Sequence, residues 1–79
     1  MRNFPPSTFD AKTIESIICI SKGMTYKDTA VFQQCSMERV TYRLNRVFNL
    51  LGIRSNVQLV HWALHHNLLP NNFKDLPAL

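Results

Sequence analysis

Residues 36–51 read SMERVTYRLNRVFNLL, and the spacing of their apolar side chains decides the fold. Val40, Leu44, Val47, Phe48 and Leu51 follow intervals of four, three, one and three, which puts them on one stripe of a helix. The opposite side carries Glu38, Arg39, Tyr42, Asn45, Arg46 and Asn49, with Thr41 and Arg43 on its flanks. That outer face is rich in groups that hydrogen-bond to phosphates and base edges, and Glu38 is its only acid. A short turn and a weaker helical segment come before it. The pattern predicts the recognition helix of a helix-turn-helix.

Upstream, Gln34, Cys35 and Ser36 form the expected turn, with Ser36 as N-cap of the long helix. A shorter helix is expected over Tyr26–Gln33, opened by Thr25 with Asp28 in its first turn. It is expected to pack through Ala30, whose small side chain allows a close approach, and through Val31 or Phe32. Before that, Gly23 supplies the left-handed backbone that ends a helix over residues 10–22, begun by Asp10. Ile14, Ile17 and Ile18 form its apolar stripe, with Phe9, Cys19 and Ile20 adjoining.

Downstream, Gly52 closes the long helix and Ile53 returns to the core. Ser55 or Asn56 caps a fourth helix over residues 57–67, with Asn67 as a left-handed stop before Pro70. Residues 1–8 contain two prolines and no periodicity, and read as a flexible arm or linker. Residues 70–79 are a tail of weak propensity, in which Phe73 and Leu76 have no evident place. The expected architecture is all-α, a four-helix bundle containing a helix-turn-helix over residues 9–69.

The chain has 79 residues, 46% of them hydrophobic, enough for one modest core whose stability dimerisation or a partner would increase. A net charge of +4 favours a polyanionic partner. Its distribution says more, because Arg39, Arg43, Arg46 and Arg54 cluster against the single acid Glu38. Cys19 and Cys35 are expected as reduced, buried thiols of a cytoplasmic protein, since no signal peptide precedes them. No apolar run reaches the length of a membrane span.

From Phe9 to Leu69 the chain resembles the LuxR/GerE-type (FixJ/NarL-type) DNA-binding domain, a tetrahelical fold, without a gap. The family's Gly-hydrophobic-Ser/Thr-Asn-Lys-Glu-Ile-Ala run is matched by Gly23, Met24, Thr25, Tyr26, Lys27, Asp28, Thr29 and Ala30. Its Ile-Ser-x-x-Thr-Val-Lys-x-His-Leu run is matched by Cys35 to Leu44, and its Leu-Gly-Val-Arg ending by Leu51, Gly52, Ile53 and Arg54. Its Leu-Thr-Pro-Arg-Glu start is matched only loosely, by Phe9 to Thr13. Thr29, Gln33, Cys35, Thr41 and Arg43 depart from the pattern, so no family-wide operator sequence transfers. The resemblance implies duplex DNA as partner and a dimer formed through the fourth helix.

Position on the third helix separates the expected roles. Thr41, Tyr42, Asn45 and Arg46 reach the floor of a major groove, with Glu38 nearer the helix start. Asn bridges adenine and Arg pairs bidentately with guanine, whereas Glu38 serves either cytosine or its own helix dipole. Thr25, Lys27, Ser36, Arg39, Arg43 and Arg54 suit phosphates. On the fourth helix Val57, Leu59, His61 and Trp62 are expected at a dimer interface, because that helix has more apolar surface than one core requires. The bland alternative places Trp62 at the core edge of a monomer. His61 and His65 share a face at i and i+4, but no acid or cysteine lies near them in sequence, so a metal site is not expected.

The expected function is therefore transcription regulation by sequence-specific binding of double-stranded DNA, as a homodimer in the cytoplasm. The alternative is a helix-turn-helix that binds another regulator or RNA polymerase. No nucleophile–base pair, phosphate-cradling glycine loop or pair of acids points to an enzyme, and no cofactor motif is present. The sequence is compatible both with a stand-alone regulator and with one preceded by a receiver or ligand-binding domain.

Overall fold

The computed structural model describes residues 2–69. Four α-helices follow a 3₁₀ turn at Pro6–Thr8: α1 Ala11–Ser21, α2 Tyr26–Gln33, α3 Met37–Leu51 and α4 Asn56–His65. There is no strand among the described residues. Each helix starts at a side-chain cap that the sequence marks. Asp10, Thr25, Ser36 and Ser55 accept from the backbone N–H of Thr13, Asp28, Arg39 and Gln58 respectively. Each bond satisfies one of the amides that a helix start leaves without a partner.

The helix ends share one geometry. After α1, the N–H of Met24 reaches Cys19 O at 3.1 Å and that of Gly23 reaches Ile20 O at 3.0 Å. Gly23 has φ +92°, the left-handed residue this closure requires. Asn67 closes α4 in the same way at φ 59°, with Leu68 N–H on Ala63 O at 2.9 Å. Gln34 closes α2 at φ 55°, carrying a Cβ into a region that costs roughly 1–2 kcal/mol for an ordinary residue. Nothing in the sequence signals that position, since Asn or Gly is the usual residue there.

The α3 stripe is buried as its spacing requires: Val40, Leu44, Val47 and Leu51 are 0% exposed. They meet Ile17 and Ile20 of α1, Ala30 of α2, and Leu59, Val60, Trp62 and Ala63 of α4, with Ile53 and Leu69 completing the core. α1 packs chiefly on α4, and α2 chiefly on α3. Both cysteines are free thiols; Cys19 is buried and Cys35 half-buried. Burial holds the Cys19 thiol above its usual range, so it stays protonated.

Three expectations are corrected. Val31 and Phe32 do not join the core: they are 73% and 61% exposed, and α2 instead buries Thr29, Ala30 and Gln33. The first residues are not a free arm. Arg2 N–H donates to Leu51 O at 2.7 Å, the Trp62 indole N–H donates to Phe4 O at 3.1 Å, and Phe4 and Phe9 pack on the core. Finally, Trp62 is 1% exposed and Leu59 fully buried, so neither offers a surface to a second copy. The tail over residues 70–79, with Phe73 and Leu76, lies outside the described residues.

Gln33 explains how α2 tolerates a polar inner face. Its Oε1 accepts from Ser16 Oγ at 3.0 Å and from Arg43 Nη1 at 3.1 Å. Its Nε2 donates to Lys12 O and to Glu15 Oε1, both at 3.0 Å. One side-chain amide thus ties α1, α2 and α3 together with its donors and acceptor engaged, which removes the penalty of burying it.

Candidate nucleic-acid interface

Burying the α3 stripe turns the other side of the helix outward. Glu38, Arg39, Tyr42, Asn45, Arg46 and Asn49 are exposed, Tyr42 at 64%. Thr41 and Arg43 are half-buried on the flanks. The base-reading set expected from the sequence therefore stands on one surface, with Thr41 at its margin. Thr41 Oγ1 donates to Met37 O at 2.9 Å, so its proton is engaged within the helix and its oxygen is left to act only as an acceptor.

The surface is not flat. A groove of about 700 Å³ runs between α3 and the start of α1. Its α3 wall is Ser36, Glu38, Arg39, Tyr42, Arg43 and Arg46; its other wall is Thr8, Phe9, Asp10 and Thr13. Three arginines thus face one volume, against the carboxylates of Glu38 and Asp10. Asp10 accepts from Thr13 N–H at 2.8 Å. Hydrogen bonding from Thr13 holds the Asp10 carboxyl below the usual carboxylate range, opposed slightly by burial and assisted by the charges of Arg43 and Arg46. Asp10 is accordingly ionised at neutral pH.

The arginines are not equivalent. Arg39 and Arg46 are exposed, whereas Arg43 is anchored from behind by Gln33 Oε1, with Cys35 Sγ 3.9 Å from the same nitrogen. One edge of the Arg43 guanidinium is committed to the fold, and the rest of its fork lines the groove. Ser36 is engaged as the α3 cap, its Oγ 3.2 Å from Arg39 N.

Thr25, Lys27 and Arg54 are exposed but do not line the groove. Thr25 is occupied as the α2 cap, and the backbone N–H of Arg54 donates to Gln58 Oε1 at 2.7 Å. Sequence reasoning found the α3 wall and missed the other. Asp10 was legible as a cap, but nothing local says that a cap of α1 faces the arginines of α3. Gln33 carried a usable signal: an amide at an inner helical position, seventeen residues from the serine it meets.

Of the four residues expected at a dimer interface, Val57 is exposed and His61 half-buried, while Leu59 and Trp62 are interior. The histidines do not converge on one point with acids or thiols: no group of three such residues able to hold a metal occurs among the described residues. His65 and His66 instead meet edge to face at 5.0 Å, and His66 packs on Trp62 at 4.8 Å. Among the described residues, no helix is long and apolar enough to cross a membrane. The chain matches no family model, no curated protein and no solved structure.

Proposed function

We propose that this protein is a helix-turn-helix regulator that binds duplex DNA by placing α3 in the major groove. The observation that carries the reading is the joint exposure of Tyr42, Asn45 and Arg46 on the side of α3 opposite its buried stripe. An amide and a guanidinium are the two groups best suited to read adenine and guanine edges. Arg39 and the free edge of Arg43 flank them and take phosphates, which set register without carrying sequence. The tight turn Gln34–Cys35–Ser36 and the packing of α2 on α3 support the motif. The LuxR/GerE-type resemblance of the sequence supports the same reading, and with it a role in transcription control in the cytoplasm. As a dimer the protein would read two half-sites related by its twofold axis. Of the four α4 residues expected at that interface, the exposed Val57 and the half-buried His61 keep surface for a second copy.

Selection from randomised duplexes tests this reading. A preferred sequence is expected to emerge and to bind at least about a thousandfold more tightly than bulk DNA. Affinity is expected to fall steeply with salt, because phosphate contacts release counterions. Equal retention of all sequences, or none of any, would contradict it.

A second reading is favoured by one feature. Val31 and Phe32 stand exposed on α2, and Phe32 joins Ile14, Ile18 and Met24 around an apolar groove of about 450 Å³. That surface suits a protein partner such as another regulator or RNA polymerase. Loss of partner binding on Phe32→Ser, with DNA binding intact, would assign it to that second role.

A further inference from the structure

The wall facing the arginines carries a charge of the wrong sign for a phosphate. Asp10 caps α1, which requires only a hydrogen-bond acceptor: Asn and Ser cap as well as Asp does. Its negative charge adds only the modest gain that any carboxylate has at a helix start. That charge lines the same groove as Arg39, Arg43 and Arg46, and acts on the last two. Glu38, the other carboxylate in the groove, lies in the first turn of α3, where the helix dipole gives its charge a structural role. Asp10 has the same favourable place at the start of α1, but a neutral cap would satisfy those amides, and its charge stands across the groove from the arginines.

We propose that Asp10 is an electrostatic brake on the groove: it caps α1 and, across the gap, weakens the hold of the α3 arginines on the phosphate backbone. The inference rests on the DNA-binding reading and names a residue that tunes it. The phosphate contacts of Arg39 and Arg43 are blind to sequence, so the brake lowers affinity for every duplex, and through Arg46 it also touches one base contact. Asp10 is exposed, so its effect is screened as salt rises.

The test compares the full chain with Asp10→Asn and Asp10→Ser on a duplex obtained by selection and on a random duplex, across a salt series. All three proteins are assayed well below the lowest of their melting temperatures. Both variants are expected to bind both duplexes more tightly, by about two- to tenfold at low salt, the gain shrinking as salt is added. Their thermal midpoints are expected to fall by a few degrees at most, because the cap is kept and only its charge at the α1 start is lost. If the parent binds DNA and neither variant binds more tightly, the brake is refuted while the DNA-binding reading stands. If Asn alone tightens binding, or the gain ignores salt, a new amide contact is responsible and the brake is again refuted. If no form of the protein retains duplex, the DNA-binding reading fails and this inference with it.

Discussion

Replacing Trp62 with alanine is expected to cost about 3–5 kcal/mol and to leave most of the chain unfolded at 37 °C. The indole is 1% exposed and lies against two other rings, Phe9 edge-on at 5.7 Å and His66 at 4.8 Å. Its N–H also holds Phe4 O, so one side chain fastens the first residues of the chain to α4. A domain of this size rarely has more than about 3–5 kcal/mol from its single core, which makes the loss comparable to the whole stability. Trp62→Phe separates the two contributions. It keeps most of the ring and removes the donor, for an expected cost of about 1–2 kcal/mol. Circular dichroism melts of the two variants would check this. A Trp62→Ala protein melting within a few degrees of the parent would show that the N-terminal residues and α4 are not fastened there.

Replacing Arg46 with alanine is expected to weaken binding to the preferred duplex by about 1–3 kcal/mol, roughly fivefold to 150-fold, and to relax the choice of base at one position. Asn45→Ala is expected to act likewise at a neighbouring position. Both side chains are exposed, so the melting temperature should hardly change, surface replacements usually staying within about 0.5 kcal/mol. Arg43→Ala would behave differently. It removes a donor from Gln33 Oε1 as well as a groove charge, so stability and affinity fall together. Lys27→Ala, outside the groove, should lower affinity little and equally for all sequences. Fluorescence anisotropy on the preferred duplex and its single-base variants would read these differences.

Most of the backbone was legible because its signals are local. The caps Asp10, Thr25, Ser36 and Ser55, the stops at Gly23, Gly52 and Asn67, and the α3 stripe each depend on residues within a turn of one another. What failed was tertiary. α4 is apolar around most of its circumference, so periodicity does not fix which side faces inward. The side that does carries Leu59, Val60, Trp62 and Ala63, with Leu64 packed at its edge and Val57 left exposed. α2 misled for the opposite reason. Its inner face holds Thr29 and Gln33, made tolerable by hydrogen bonds to Thr25 O and to the Gln33 partners on α1 and α3, while its apolar pair faces outward. The docking of residues 2–9 was invisible because non-periodic segments are held by single distant partners, here Leu51 and Trp62. The outer face of α3 was read correctly as exposed, but its groove needed α1 brought alongside.

On the proposed reading, the outer face of α3 enters a groove of duplex DNA. Mapping backbone and side-chain NMR shifts of the labelled protein during titration with the selected duplex tests it most directly. The largest changes are expected at Tyr42, Asn45 and Arg46, including the Asn45 side-chain amide and the Arg46 guanidinium, with smaller ones at Arg39 and Arg43. Changes confined to Val31, Phe32 and the apolar groove of α1, or none on α3 at saturation, would contradict it.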